Sequence, residues 1–208
     1  MTLMKRIGLY GGTFDPIHFG HLNLAIELME KHRLDEVWFI PAQISPHKLD
    51  FHPVPVEHRM SMLNLAIEDI PQFFVKDFEH KRPPPSYTIH TLKEILNSQE
   101  VKASPHHFYL LMGEDSVLGF FRWHLPEEII KMVPLLIATR LGQEIKKIDA
   151  HSEIYQAIQK GLSETRLIDI SSTDVRHRLA NSLYCGHLVP HKVLEYIAKN
   201  QLYTKLKC

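Results

Sequence analysis

The chain has 208 residues, enough to bury a sizeable core, and this length predicts one domain or one domain with an appended piece. Its 24 Lys and Arg residues balance its 24 Asp and Glu residues, which argues against nucleic acid and anionic membranes as partners. No apolar run approaches the ~18 residues of a membrane span, no signal peptide is recognisable, and the two cysteines form neither a disulfide framework nor a Cys-x-x-Cys metal motif. We therefore expect a cytoplasmic protein whose anion sites are local.

Apolar runs of strand length alternate with segments of helical periodicity along the chain. The predicted strands are 7–10, 36–41, 73–78, 107–112, 134–139 and 166–170. The predicted helices are 22–29, 56–70, 87–96, 123–130, 152–160, one starting near residue 171, and 190–200. This alternation favours parallel strands joined by right-handed crossovers. The predicted fold is therefore a single α/β domain with a Rossmann-like, doubly wound parallel sheet and a helical C-terminal part from 170 to 208.

Two glycines, Gly11 and Gly12, follow the first predicted strand and precede the first predicted helix. Glycine lets a backbone approach a polyanion closely, and a helix N-terminus offers unpaired N–H groups and the positive end of a dipole. If the helix begins near Gly20, His18 lies just before it and His21 lies in its first turn. Both imidazoles can then reach the same bound group, so this stretch predicts a phosphate site.

The other segments with chemically useful side chains also follow predicted strands. They are 47–48, 113–115 and 171–176. Ligands of open parallel sheets bind beyond the carboxyl ends of the strands, at the point where the strand order reverses. We therefore expect these segments to line one crevice together with 11–21. The proline run 83–85 ends before Ser86, a candidate helix N-cap or ligand contact.

The glycine stretch matches neither the Gly-x-Gly-x-x-Gly dinucleotide pattern nor the Gly-x-x-x-x-Gly-Lys-Ser/Thr loop of nucleoside triphosphatases. It resembles instead the signature of the nucleotidylyltransferase superfamily, in which His-x-Gly-His follows Gly-Thr/Ser-Phe-Asp-Pro. Here residues 12–16 and 18–21 carry that pattern. Residues 170–176, Ile-Ser-Ser-Thr-Asp-Val-Arg, resemble the second signature, Ile-Ser-Ser-Thr-x-x-Arg. Two signatures in order at opposite ends of the chain are highly specific, whereas either alone is weaker.

Almost the whole chain resembles the nicotinate-nucleotide adenylyltransferases, including 46–48, 59–63, 85–88, 112–116 and 122–124. These enzymes join nicotinate mononucleotide to the AMP part of ATP, giving nicotinate adenine dinucleotide and pyrophosphate in NAD biosynthesis. The chain departs from the family at His90, where an acidic residue is expected, and at Leu141, where proline is frequent. Neither position should carry chemistry, so the departures bear on local substrate contacts.

The resemblance implies a reaction that needs no general base, because the attacking phosphate monoester is already anionic at neutral pH. His18 and His21 are expected to donate hydrogen bonds to the α-phosphate, with Arg176 and Lys48 as fixed cations. The remaining ATP-binding residues expected from the two signatures are Gly11, Gly12, Thr13, Phe14, Ser171, Ser172 and Thr173. Mg²⁺ is expected to arrive with ATP and to need no protein side-chain ligands.

The resemblance also implies where nicotinate mononucleotide binds. Trp123 is expected to stack on the nicotinate ring, while the Thr88 hydroxyl and the backbone near Trp123 and His124 read its carboxylate. Asp115 is expected to accept a hydrogen bond from a ribose hydroxyl. Ser86 completes the expected set of contacts.

Several alternatives stay open at this point. A His-x-x-His spacing by itself favours a structural pair or zinc ligands, Lys48 fits a solvated surface residue, and Trp123 fits a core cap. Asp15 with Pro16 fits a simple turn. Alternative functions are phosphopantetheine adenylyltransferase, although that family has threonine in place of His18, a cytidylyltransferase, and a non-catalytic nucleotide-binding regulatory module. Preference for the acid or the amide substrate, and assembly into a homo-oligomer, also stay open.

Overall fold

The structure is a computed structural model that describes residues 4–44, 52–80, 82–103, 106–139, 152–166 and 168–204. The strands within these residues are β1 (Arg6–Gly12), β2 (Glu36–Pro41), β3 (Phe73–Val75), β4 (His107–Gly113), β5 (Leu135–Thr139) and β6 (Leu162–Glu164). They form one parallel sheet in the order β3-β2-β1-β4-β5-β6. The Rossmann-like, doubly wound parallel sheet predicted from the sequence is therefore confirmed.

Helices cover both faces of this sheet. They are α1 (Phe19–His32), α2 (Val56–Ile67), α3 (Thr88–Asn97), α4 (Gln99–Ala103), α5 (Glu114–Gly119), α6 (Pro126–Met132), α7 (Glu153–Gly161), α8 (Ser172–Ala180) and α9 (His191–Lys199). A 3₁₀ turn, Phe120–Arg122, joins α5 to the segment before α6. Within the described residues, no helix has both the length and the apolar character that a membrane crossing requires.

Side chains alternate between two hydrophobic layers, as the period of a β-strand requires. In β2, Val37 and Phe39 pack with residues of α1, α2, α8 and α9, while Trp38 and Ile40 pack with α3, α5, α6 and α7. Full burial of such a side chain stabilises the fold by about 1.5–3 kcal/mol. Both faces of each central strand are therefore buried, which explains why these strands read as unbroken apolar runs.

The sheet order places a switch point at the middle of the sheet. The chain moves from β1 outward to β2 and β3, then returns to pair β4 with the other side of β1. The connections leaving β1 and β4 consequently diverge onto opposite faces, which opens a crevice at the carboxyl ends of these two strands. Gly11 and Gly12 end β1, and Gly113 ends β4.

Three local predictions were wrong. The last strand lies at Leu162–Glu164 and pairs with β5, whereas 168–170 has no regular structure. Gly161 allows this pairing, because a Cβ there would lie 2.5 Å from the Leu135 carbonyl oxygen. The helix predicted over 123–130 begins at Pro126, a residue suited to the first helical position. Gly11 and Gly12, which were expected to follow the first strand, are its last two residues.

Candidate active site

A crevice of about 590 Å³ opens at the switch point, within the size range of small-molecule sites. Its wall includes nearly all of the site residues predicted from the sequence: Gly11, Gly12, Thr13, Phe14, His18, His21, Ser86, Thr88, Asp115, Trp123, His124, Ser171, Ser172, Thr173 and Arg176. Lys48 lies outside the described residues. The structure therefore brings together residues from both ends of the chain, as the sequence predicts, although 168–170, directly before 171–176, is not the strand that was expected.

Close packing explains two glycines in this wall. At Gly12 an added Cβ would lie 2.8 Å from the Phe14 ring, which is 1% exposed and packs edge-on against Tyr10. At Gly20 it would lie 3.0 Å from His18 Nδ1. Gly12 thus makes room for the turn after β1, and Gly20 makes room for an imidazole at the start of α1.

His18 and His21 form a reciprocal cap at the N-terminus of α1. The His21 N–H donates to His18 Nδ1 at 3.4 Å, and the His18 N–H donates to His21 Nδ1 at 3.3 Å. The two rings stack with their centroids 3.6 Å apart. A neutral imidazole whose Nδ1 accepts a hydrogen bond carries its proton on Nε2. This cap therefore selects the tautomer in which Nε2 is the donor that each ring can offer to a ligand.

His18 is also buried, with only 4% of its surface exposed. Burial lowers the pKa of His18 to about 4, because the charged imidazolium loses its hydration, and this loss outweighs a backbone hydrogen bond that acts the other way. The ring is therefore neutral at neutral pH. It can donate one hydrogen bond without carrying a charge.

This depressed pKa predicts a loss of stability in acid. The unfolded chain protonates His18 below its ordinary pKa of 6.5, whereas the folded chain protonates it only near 4, so stability falls as the pH drops through this interval. At about pH 4.5 the loss is roughly 2–3 kcal/mol. Urea unfolding of the wild type and of His18→Asn at about pH 7.5 and 4.5 measures it. Between these two pH values, the free energy of unfolding of His18→Asn should fall by roughly 2–3 kcal/mol less than that of the wild type. Equal losses would contradict the depressed pKa of His18.

Asp15 does more than shape a turn. It is 2% exposed, and its Oδ1 accepts hydrogen bonds from the Tyr203 hydroxyl at 2.6 Å and from the Val54 N–H at 3.4 Å. Arg176 Nη1 donates to the Asp15 carbonyl oxygen at 2.7 Å, and its Nη2 lies 3.2 Å from Thr173 Oγ1. The Ser172 hydroxyl adds a bond to the Pro16 carbonyl oxygen at 3.0 Å. The two signature segments are thus joined directly.

Arg59 is the largest fully buried side chain among the described residues, at 1% exposure. Its guanidinium donates to the carbonyl oxygens of Val54, Thr13, Ala42 and Gln43 at 2.8, 2.8, 2.6 and 3.1 Å. The arginine therefore joins the segments that follow β1 and β2 through their backbones. Sequence reasoning missed this role, because nothing in the pattern around Arg59 separates a buried cation from a surface one.

Replacing Arg59 by methionine should destabilise the fold by about 3–5 kcal/mol, because several buried carbonyl oxygens lose their donor. Methionine keeps much of the length of the side chain, so the loss reports hydrogen bonding more than volume. The exposed Arg166 provides the control, since Arg166→Met should change stability by less than about 0.5 kcal/mol. Denaturant unfolding measures both variants. Equal effects would contradict the role given to Arg59.

Ser86 is not the helix cap that the sequence suggested. Tyr87 precedes α3 and makes no side-chain cap, while Ser86 Oγ accepts from the Gln43 N–H at 3.0 Å. Ser86 also hydrogen-bonds the carboxylate of Glu79, which lines the crevice and accepts from Thr91 Oγ1 at 2.6 Å. Burial raises the pKa of Glu79, and these two hydrogen bonds oppose the rise. Glu79 was another residue that the sequence did not single out.

The opposite part of the crevice holds aromatic and polar groups. Trp123 follows the 3₁₀ turn and packs against buried Phe120, with ring centroids 5.2 Å apart, while also lining the crevice. A core contact and a ligand surface are therefore compatible in one side chain. The His124 ring lies 4.8 Å from the Tyr87 ring and 5.9 Å from that of His90. His90, at which the chain departs from the family pattern, thus lies beside the rim of the crevice.

Among the residues that the structure describes, no group of three or more His, Cys, Asp and Glu side chains is placed to hold a metal ion. The crevice instead offers imidazole donors, of which His18 is neutral, together with a guanidinium and the N-termini of α1 and α8. Such groups suit an anionic ligand that has several oxygens.

Comparison with known proteins agrees with this site. A family model described as cytidylyltransferase-like matches residues 9–178. A protein of Dehalococcoides mccartyi named "Probable nicotinate-nucleotide adenylyltransferase" is 40% identical over 202 residues, which cover 96% of this chain and 98% of the relative. A protein of the same name from Oceanobacillus iheyensis is 36% identical over 200 residues, with coverage of 96% and 97%.

A solved structure shares the fold. The nicotinic acid mononucleotide adenylyltransferase of Plasmodium falciparum, complexed with NaAD, superposes with a TM-score of 0.68 at 24% sequence identity, covering 96% of this chain and 97% of that one. With a match over most of the chain and relatives of nearly the same length, this chain belongs to the cytidylyltransferase-like family and, within it, to the nicotinate-nucleotide adenylyltransferases.

Proposed function

We propose that this protein transfers the adenylyl group of ATP to nicotinate mononucleotide, releasing pyrophosphate and forming nicotinate adenine dinucleotide. The observation that carries the proposal is the crevice in which the two signatures meet, with the stacked His18 and His21 rings and Arg176 in one wall. The full-length relatives bear the name of this activity.

The reaction is a single displacement at the α-phosphorus. A phosphate oxygen of nicotinate mononucleotide forms a bond to this phosphorus, and the bond to the bridging oxygen of pyrophosphate breaks and leaves its electron pair on pyrophosphate. No proton has to be removed from the nucleophile, because a phosphate monoester has its second pKa near ~6. The protein therefore contributes alignment and charge stabilisation, and needs no general base.

His18 and His21 are assigned to the α-phosphate as hydrogen-bond donors through Nε2. Their reciprocal cap fixes both ring orientations before substrate binds, so little reorganisation accompanies the transition state. Arg176 supplies a positive charge to the same group. The remaining ATP contacts are assigned to the backbone around Gly11, Gly12, Thr13 and Phe14 and to Ser171, Ser172 and Thr173 at the start of α8, with Lys48 as a further cation.

Nicotinate mononucleotide is assigned to the part of the crevice between α3 and the 3₁₀ turn. Trp123 stacks on the pyridine ring, Thr88 and His124 lie near its carboxylate, and Asp115 accepts from the ribose. Ser86 contributes through the bond that links it to Gln43, which shapes this wall.

Mg²⁺ would be held by the phosphates of ATP and by water, and we assign it no protein side-chain ligand. Bound in this way, the ion would offset negative charge on the leaving pyrophosphate. Every other contribution above comes from the side chains and backbone of this chain.

Pyrophosphate release tests the proposal. The protein is mixed with ATP and Mg²⁺ and, in parallel reactions, with nicotinate mononucleotide, nicotinamide mononucleotide or phosphopantetheine. We expect release with nicotinate mononucleotide and a much smaller kcat/KM with the other two. Release with phosphopantetheine alone would overturn the substrate, and release with none of the three would favour a nucleotide-binding module without turnover.

A further inference from the structure

The C-terminal segment after α9 reaches into the wall of the crevice through one hydroxyl group. Tyr203 donates to Asp15 Oδ1 at 2.6 Å across 188 residues of sequence. Its position is built by the fold, because Leu202 N–H donates to the Ile197 carbonyl oxygen at 3.0 Å, and both Leu202 and Tyr203 pack on the hydrophobic layer of α1 and α2. Burial and the nearby charge of Asp15 raise the pKa of Tyr203 well above its ordinary value, so the hydroxyl keeps its proton.

The other oxygen of the same carboxylate faces Arg176. Asp15 Oδ2 lies 3.9 Å from Arg176 Nη1, which is beyond hydrogen-bond distance but close enough for strong attraction between a buried carboxylate and a guanidinium. Nη1 donates to the Asp15 carbonyl oxygen instead, at 2.7 Å. The carboxylate thus attracts Arg176 while the hydroxyl of Tyr203 and the N–H of Val54 hold its Oδ1.

Loss of the Tyr203 hydroxyl would release this arrangement. A carboxylate freed on one side can rotate and form a direct pair with a guanidinium, which is the strongest kind of charged hydrogen bond in proteins. A guanidinium that is hydrogen-bonded in such a pair stabilises the charge that develops on a phosphate less well. The contact between Tyr203 and Asp15 would therefore limit how strongly Asp15 competes for Arg176 with the charge that develops on the α-phosphate in the transition state.

We propose that Tyr203 is a positioning residue for adenylyl transfer, which holds Asp15 so that Arg176 is oriented by its charge and still serves the α-phosphate. The inference rests on the proposed function, because it uses the assignment of Arg176 to the phosphate. It predicts that a side chain outside the two signature sequences acts on turnover and not on substrate binding.

The test compares Tyr203→Phe with Tyr196→Phe. Tyr196 is the matched control, because it lies in α9 and its hydroxyl bonds His58 Nδ1 at 2.9 Å, away from the crevice wall. Tyr203→Phe should lower kcat about tenfold and leave KM for both substrates within about twofold, as loss of a hydrogen bond to a charged group predicts. Tyr196→Phe should leave kcat unchanged, and thermal unfolding should give the two variants comparable stability. Equal effects on kcat would overturn the inference.

A second comparison separates action through Arg176 from a general effect on structure. In the Arg176→Ala background, Tyr203→Phe should lower kcat by less than about twofold, because the guanidinium through which Tyr203 acts is absent. The same tenfold loss in both backgrounds would overturn the inference. Wild-type protein that releases no pyrophosphate with nicotinate mononucleotide would refute the proposed function itself, whereas normal turnover by Tyr203→Phe alongside an active wild type would refute only the role of Tyr203.

Discussion

Replacing Arg176 by alanine is expected to lower kcat by about a thousandfold or more, the effect of removing an arginine that stabilises phosphoryl-transfer charge. Arg176 is the charged side chain that the second signature brings to the crevice wall, where Asp15 and Thr173 hold it. The interaction strengthens as charge builds on the α-phosphate, so turnover should fall far more than substrate affinity.

Steady-state kinetics with ATP and nicotinate mononucleotide measures this loss. Arg178→Ala is the matched control, because Arg178 lies in the same helix and donates to the Tyr184 carbonyl oxygen at 2.9 Å, outside the crevice wall. That variant should keep kcat within about threefold of the wild type. A loss confined to KM in Arg176→Ala, or a similar loss in both variants, would contradict the role of Arg176.

His18→Ala should lower kcat by about 10²–10³ and the affinity for ATP much less, as expected for a donor whose hydrogen bond strengthens in the transition state. The ring is neutral and fixed by its contact with His21, so the loss reports a lost donor and not a lost charge. Kinetics together with equilibrium binding of ATP separate the two quantities. Equal losses in turnover and in binding would show that His18 positions ATP in the ground state.

His18 also caps α1, so alanine removes two functions at once. His18→Asn separates them, because asparagine is a favourable N-cap residue but is too short to replace Nε2. We expect His18→Asn to recover stability relative to His18→Ala, with kcat still low. Recovery of kcat together with stability would mean that capping is the main role of His18.

The strand-helix alternation and both signatures predict the fold and most of the crevice wall because they are local patterns. The starts of α1 at Phe19 and of α8 at Ser172 lie within one residue of the starts that the local helix signals predict. The sheet order then brings the carboxyl ends of β1 and β4 together. Helix and strand signals thus suffice to place His18 and His21 at the crevice, whereas the expected place of Arg176 rested on a strand over 166–170 that the structure does not form.

The missed features depend on contacts between distant parts of the chain. Tyr203 and Asp15 are far apart in sequence, and neither residue type in its local pattern indicates a buried hydrogen bond. Arg59 reads as an ordinary charged residue in an amphipathic helix, yet its charge is met by backbone carbonyl oxygens. The prediction of a strand over 166–170 was wrong, because the edge of β5 pairs with Leu162–Glu164 instead.

We assign adenylyl transfer to a direct displacement in which the histidines donate hydrogen bonds and never bond to phosphorus. An ATP analogue with sulfur in one configuration on the α-phosphorus, reacted with nicotinate mononucleotide, tests it in a single measurement. Phosphorus NMR of the dinucleotide product should show inverted configuration at the transferred phosphorus. Retention would reveal two displacements through an adenylylated side chain, and it would contradict the role of His18 and His21 as hydrogen-bond donors alone.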